Sequence, residues 1–506
     1  MNSDTRDNVS KSPYAIGEEI PLVGSAKPRP HRFLSRQNVT ALTSLFITCS
    51  TIYMGLLIIM GPGTAIHPQI SHYWGQYSPF FSLEEQSEIS PATPPECTVT
   101  FVQALSRHGA RYPTAGKSEV YVELVDRIQQ TATEYKGGVY AALETYHYQL
   151  GDDELTVFGE QQMTDSGMAF YRRYKQLARY HVPFIRASGS SRVIASGELF
   201  TEGFNEAKRI DRGSNSSQQA SKVNLVIPEG SQWNNTLDSG SCESLSDGSP
   251  VREAEQEFLN VFAPSILERL VSNMPGVNLT LEDVPLLMDL CPFEVVAQKD
   301  TSKGQLSPLC DLFTPSEWKS YDYLNTLRKY YAYGAGNPLA STRGVGYVNE
   351  IIARMTKTLP VNDHTSVNHT LDSDPTTFPL DTTLYADFSH DNAMVSIFDA
   401  FGLYNSTAKL STTHVQSAAE TRGFSSSWVV PFASRAYFEL MQCSPDDDNE
   451  EEEQLVRVLI NDRVVPLHGC HVDALGRCKL NDWIEGLDFA RNGGRWDDYC
   501  LSSGLA

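Results

Sequence analysis

Three apolar runs lie far apart in the chain, and each stops at a polar cluster. The first occupies VTFVQALSRHGARYPT (99–114) and predicts a strand that ends at Arg107. The second, 182–185, enters the small-residue turn 187–191. Val193, Leu199, Phe200 and Phe204 then recur at helical spacing, placing Arg192 in or just before the first helical turn. The third, 383–388, stops at Ser389, His390 and Asp391, after which Met394, Ile397, Phe398 and Phe401 form an amphipathic stripe that Gly402 closes. Strand, turn and helix repeated in this way predict an α/β fold on an open sheet, with the polar clusters converging on one crevice at the carboxyl ends of the strands. Between the second and third units the pattern is mainly helical, over 253–270, 281–290 and 315–331. This predicts a smaller helical lobe inserted beside the sheet at about 243–329.

Residues 1–40 are polar and without periodicity, as a disordered cytosolic tail is. Residues 41–60, ALTSLFITCSTIYMGLLIIM, are uncharged, mostly apolar and of the length, about 20 residues, that a membrane-crossing helix needs. Lys27, Arg29, Arg32 and Arg36 precede the segment and no Lys or Arg follows before Arg107, so residues beyond 60 are expected on the extracytoplasmic side. The segment reads as the uncleaved anchor of a single-pass type II membrane protein. A cleaved signal peptide, leaving a secreted protein, is the alternative; the long N-terminal flank and the lack of a clear A-x-A site stand against it. Thr43, Ser44, Thr48, Cys49, Ser50 and Thr51 make the first half of the segment only mildly hydrophobic. A linker and N-terminal arm, 61–95, then leads to the main domain, 96–506.

Export agrees with two further features. Asn215, Asn234, Asn278, Asn368 and Asn405 each begin an N-x-S/T sequon. Of the nine cysteines, Cys49 lies inside the apolar segment. The other eight, Cys97, Cys242, Cys291, Cys310, Cys443, Cys470, Cys478 and Cys500, are an even set suited to four disulfides, which spacing alone cannot pair. Cys470, His471 and Cys478 lack the second paired cluster that a tetrahedral zinc site needs, so no metal is expected.

A net charge of -22 and a pI near 5.0 exclude a nucleic-acid partner. They also mean that an anionic substrate meets net repulsion at neutral pH, which acid relieves, although acidity equally serves solubility. The run DDDNEEEE (446–453) reads as a solvated loop between a strand ending near Cys443 and one beginning at Leu455. Gly334, Gly336, Gly344 and Gly346 form two GxG pairs with no preceding strand or third glycine, so no dinucleotide cofactor is expected.

Arg107, His108 and Arg111 suit phosphate: arginine presents a fork of donors matched to phosphate oxygens, and a neutral imidazole can attack phosphorus and carry it covalently. His108 is the candidate nucleophile, and Arg107, Arg111, Arg192 and His390 are candidate ligands of the transferring group. Asp391 is the candidate acid for the leaving alkoxide, and Asn392 a neutral substrate contact. A partly desolvated Asp391 is expected to remain protonated in acid. Gly109 is expected to permit a sharp turn, and Pro113 to set the direction in which the chain leaves. Taken singly, each residue has a plainer role: Arg192 capping carbonyls, His390 hydrogen-bonded in the core, Ser389 or Asp391 capping a helix.

RHGxRxP followed far downstream by HD resembles the double signature of the histidine acid phosphatases, in the high-molecular-weight branch that includes fungal phytases. The likeness extends over about 70–506 and includes SHYWGQYSPFFSL (71–83), PFIRASGSSRVIASGE (183–198), LYADFSHDN (384–392) and NDRVVPLHGC (461–470). It implies a phosphoglycerate mutase-like open sheet with flanking helices, and hydrolysis of phytate or other phosphomonoesters by a monomer without cofactor. It also implies the pairs Cys97–Cys443, Cys242–Cys500, Cys291–Cys310 and Cys470–Cys478, and Lys117, Arg328 and Lys329 as basic substrate contacts. The family's additional N-terminal bridge is missing. The stretch 137–146, taken as a loop, carries Val139 and Glu144 where similar phytases often have lysines. That departure points toward simpler phosphomonoesters, so a broad acid phosphatase is the alternative. A mutase-like transferase does not explain the export features, and a silent binding protein does not explain the intact polar set.

Overall fold

Alternation of apolar residues along the central strands decides the architecture. The computed structural model describes residues 67–215, 219–242, 249–298, 305–360, 364–444 and 452–501. The tail 1–40, the apolar segment 41–60 and most of the acidic run 446–453 lie outside them. Among the described residues no helix is long and apolar enough to cross a membrane.

Seven strands follow one path: β1 (Cys97–Arg107), β2 (Phe184–Ser188), β3 (Val223–Ile227), β4 (Leu384–Ser389), β5 (Arg435–Cys443), β6 (Glu453–Ile460) and β7 (Arg463–Val465). Their spatial order is β3-β2-β4-β1-β5-β6-β7, and the short strand Cys478–Lys479 pairs β6. The first four in that order are mutually parallel, whereas β5, β6 and β7 run antiparallel to their neighbours. β4 is buried along its whole length, as a parallel strand covered on both faces must be. Its odd-numbered Tyr385 joins Phe101, Leu105 and Phe438 under one layer of helices, while Leu384, Ala386 and Phe388 join Val102, Ala104, Ile185 and Ala187 under the other.

The second layer consists of α2 (Val157–Arg173) and α3 (Ser191–Ile210), following α1 (Ala115–Thr131) in the chain. The first layer holds α1, α4 (Ser249–Asn273), α5 (Asp283–Val296), α6 (Pro315–Tyr333), α7 (Val345–Thr356) and α8 (Asp391–Ala400). The three predicted helices of the inserted region are therefore α4, α5 and α6, each longer than the apolar pattern indicated, and they share a core with one face of the sheet. α6 begins with a capping box between Thr314 and Glu317 and Pro315 at its first position, three reinforcing start signals. Gly334 caps the end of α6, and Gly346 lies within α7, so neither GxG pair forms a nucleotide-binding turn.

All four disulfides implied by the resemblance are present: Cys97–Cys443, Cys242–Cys500, Cys291–Cys310 and Cys470–Cys478. The last removes both thiols from any metal site. The sequon residues Asn215, Asn234, Asn278 and Asn405 are exposed. Asn368 is half-buried, and its side-chain oxygen accepts from Leu371 N–H at 3.2 Å.

Candidate active site

The central strands β2, β4 and β1 are parallel neighbours, so their carboxyl ends share one edge. That edge brings together Arg107 and His108 after β1, Arg192 in the first turn of α3, and His390 with Asp391 at the β4–α8 junction. α8 has His390 as its N-cap and Asp391 at its first position, where the helix dipole favours an acid. His390 makes no capping bond with its side chain, which is engaged elsewhere.

His108 is 1% exposed, and its Nδ1 lies 2.8 Å from the Gly109 carbonyl oxygen. A carbonyl only accepts, so Nδ1 carries the proton and Nε2 keeps its lone pair. Burial, then the charges of Arg107 and Arg111, hold the imidazole well below its ordinary 6.5. It therefore stays neutral, hence nucleophilic, in acid. The backbone is clamped on both sides: His108 N–H donates to the Ser389 carbonyl (3.2 Å) and its carbonyl accepts from Ala433 N–H (2.9 Å). Gly109 does not adopt a left-handed turn here. It is required for a different reason, because a Cβ there would sit 2.4 Å from the carbonyl oxygen of Gly159 on α2. Gly159 in turn leaves no room, since its own Cβ would fall 1.8 Å from the Ala110 carbonyl oxygen.

The cations surround this imidazole. Arg107 is fully buried over the Phe432 ring, 4.6 Å from its centroid, and donates to the carbonyls of Gln76 and Val430, the latter at 2.8 Å. Burial pulls it down to about 10 against the attraction of Asp391, so it remains charged across the acidic range. Arg111 donates to the Tyr112 carbonyl at 2.7 Å and Arg192 to Asp153 at 3.3 Å. The Nε atoms of Arg107, Arg111 and Arg192 are buried without a protein acceptor, which suits an oxyanion bound among them. The His390 ring stands edge-on to His108 with centroids 5.6 Å apart. Its Nε2 meets Glu229 Oε1 at 2.8 Å.

Asp391 departs from expectation. Burial pushes its carboxyl up, but Arg107 (3.5 Å) and Lys329 (2.6 Å) outweigh that and hold it well below the carboxylate range. The free site therefore presents an ionised Asp391 rather than the protonated acid expected from desolvation alone. Lys329 is the reason: buried on α6, its ammonium donates to Asp391 and to Asn392 Oδ1, each at 2.6 Å. It lies inside the catalytic cluster instead of at the rim. Replacing Lys329 with Met removes one of the two cations, so the upper pH limit of kcat is expected to move to higher pH, since Asp391 then holds its proton longer. A pH profile with that limb unmoved would show that Asp391 does not govern it.

Of the other basic residues, Lys117 is partly exposed and reaches Asp289 at 3.4 Å. Arg328 forks onto Glu255, with Nε at 2.9 Å, and also donates to Asn325 Oδ1. Both cations are thus countered by carboxylates. The stretch read as a loop contains a short helix, Gly138–Glu144, on which Val139 packs against the core and Glu144 is exposed.

Several neighbours escaped the sequence reading. Glu229 and Asp153 lie in connecting segments without periodicity and carried no signal. Behind the strand ends, Asp387 of β4 accepts from Arg186 at 2.8 and 3.0 Å and from Arg354 at 3.0 Å, while Glu350 also holds Arg186 at 2.5 Å. Opposite charges in two adjacent apolar runs, FIRAS and LYADFS, were a usable sign of it, since Arg186 and Asp387 are register partners.

Residues 98–461 match the family described as histidine phosphatase superfamily (branch 2). The chain belongs to that family. Within the histidine phosphatases, it is 57% identical over 440 residues to Phytase A of Aspergillus fumigatus, covering 87% of this chain and 92% of that one. It is 56% identical over 435 residues to Phytase A of Emericella nidulans, covering 86% and 91%. Among solved structures, the phytase from D. castellii superposes with a TM-score of 0.66 at 23% identity, covering 85% of this chain and 88% of that one. This establishes the shared α/β fold.

Proposed function

We propose that this histidine phosphatase hydrolyses phytate, myo-inositol hexakisphosphate, to lower inositol phosphates through a phosphohistidine. The observation that carries the chemistry is His108, buried and neutral with its free Nε2 lone pair among Arg107, Arg111, Arg192 and His390. The relatives named Phytase A, matched over most of both chains, carry the substrate. His108 Nε2 attacks phosphorus in line, forming the N–P bond as the P–O ester bond breaks, and Asp391 gives its proton to the departing alkoxide. Water then attacks phosphorus, its proton passes to the Asp391 carboxylate, and the N–P bond breaks to release phosphate. Because the free site holds Asp391 ionised, the proton is taken up as the substrate binds. A phosphate among Arg107 and Lys329 draws their charge away from the carboxylate, raising its proton affinity.

The decisive experiment compares phosphate release from phytate and from p-nitrophenyl phosphate by residues 61–506 in acid, with chelator present. A preference for phytate undiminished by chelator is expected. Equal or greater activity on the aryl ester would replace this reading with a broad acid phosphatase, and would implicate Arg328–Glu255 and Lys117–Asp289, whose pairing leaves little free positive charge for the non-reacting phosphates.

We further propose that the body of the chain works outside the cytoplasm. Four disulfides and exposed sequon asparagines support this, as does the apolar segment 41–60 behind its basic flank. Active enzyme recovered from the cytosol with free thiols would overturn it.

A further inference from the structure

Glu229 stands just beyond β3, outside every motif that carries the chemistry. Yet a single one of its oxygens collects three donors from the site. Oε1 lies 2.8 Å from His390 Nε2, 2.7 Å from Ser188 Oγ and 3.1 Å from the Ser190 backbone N. Asn235 Nδ2 donates to the same Ser188 hydroxyl at 3.1 Å and so fixes which way that hydroxyl points. The donors come from different strand ends: Ser188 closes β2, Ser190 caps the helix that carries Arg192, and His390 follows β4.

Burial disfavours the Glu229 anion, but the hydrogen bond and charge of His390, then the bonds from Ser188 and Ser190, lower the carboxyl to about 2, so it is a carboxylate throughout the range in which an acid phosphatase works. A carboxylate accepts and never donates, so the bond to His390 requires the proton on Nε2. That leaves Nδ1 as the ring atom for the phosphate side, and because phosphoryl oxygens only accept, Nδ1 must donate there as Nε2 does to Glu229. The titratable and charged groups facing His390 and Glu229 are Arg192 on α3 with its partner Asp153, Asp391 on α8 and, across the crevice, the neutral His108 with its arginines.

We propose that Glu229 is a positioning residue that keeps a proton on His390 Nε2 and fixes the direction of the ring, so that one imidazole N–H is committed to the protein and the other is aimed at the transferring phosphoryl group. This rests on the reading of His390 as a ligand of that group. The arrangement parallels a general device in which a carboxylate orients a working histidine through its second nitrogen.

A double-mutant cycle tests it. Glu229→Ala is expected to lower kcat on the order of ten-fold, with a smaller change in KM, because His390 is asked to act on the transition state. Glu229→Gln keeps an oxygen in place to accept all three donors and is expected to recover most of the loss. In a His390→Ala background, Glu229→Ala should cost less than about two-fold more, since the residue it positions is gone. Full additivity in that background would overturn the proposal and make Glu229 a purely structural brace. If His390→Ala itself leaves kcat unchanged, the reading of His390 as a phosphate ligand fails instead, and the two failures are distinct. Should Glu229→Ala not fold, the Gln variant and the imidazole nitrogen spectrum of the native enzyme decide. A proton observed on Nδ1 with none on Nε2 of His390 would overturn the assignment.

Discussion

Replacing His108 with Ala is expected to lower turnover of phytate by about four orders of magnitude or more, with the far-ultraviolet circular dichroism of the protein unchanged. The magnitude follows from the removal of the atom that forms the covalent bond. When a nucleophile is deleted, the remaining groups still bind and polarise the substrate, but the two easier steps collapse into one direct attack by water. The cations would still hold phosphate, so KM should change far less than kcat. The fold should survive because the loop is anchored by backbone bonds, to Ser389 and from Ala433, that do not involve the ring. Activity within ten-fold of the parent enzyme would sink the phosphohistidine mechanism.

The largest effect on stability is expected from Asp387→Ala. Asp387 is fully buried in the central strand, with Arg186 and Arg354 both buried against it. Removing it leaves Arg186 with Glu350 alone and Arg354 with the Gln103 side-chain oxygen and no ion pair, and breaking a buried ionic network by deleting one partner costs about 3–5 kcal/mol. The urea midpoint should fall accordingly, and a loss below about 1 kcal/mol would refute the assignment. The pH sign is also defined. Burial raises the Asp387 carboxyl, but the two arginines overcome it and hold the folded-state value below the ordinary 3.8. Its contribution is therefore present above the unfolded value and fades only as pH falls through the lower folded value, so the network persists in the acidic conditions expected for catalysis.

Some of this was legible in the sequence, and the boundary has physical causes. The strand ends could be read because a parallel strand covered on both faces must be apolar, so the first charged residues mark where it leaves the core. Arg107 was found by that rule, whereas β2 and β4 break it with the buried pair Arg186 and Asp387, and Arg192 and His390 were found from the small-residue turn and the polar cluster that end those runs. Arg328 and Lys329 were not separable, because adjacent residues look equivalent in a string, whereas on a helix they point about 100° apart. One side chain of α6 therefore reaches Asp391 and the next reaches Glu255. The ionisation of Asp391 was misjudged for the same reason, since it depends on a lysine 62 positions away that only the folded chain brings to 2.6 Å. Glu229 was invisible because a carboxylate in an aperiodic connection has no pattern to betray its partner.

The bonds around Arg107 also set a schedule. Its backbone N–H donates to the Ser434 carbonyl and its guanidinium to that of Val430, while Ala433 closes on His108. The nucleophile enters the chain early, yet Val430, Ala433 and Ser434, which hold it and Arg107 in place, arrive more than three hundred positions later. A chain cut short before that stretch would carry the entire signature and no working pocket. During synthesis, and in any refolding experiment, catalytic competence should thus appear only after the closing antiparallel strand has docked, making phosphate release a clock for the last stage of folding and not for the first.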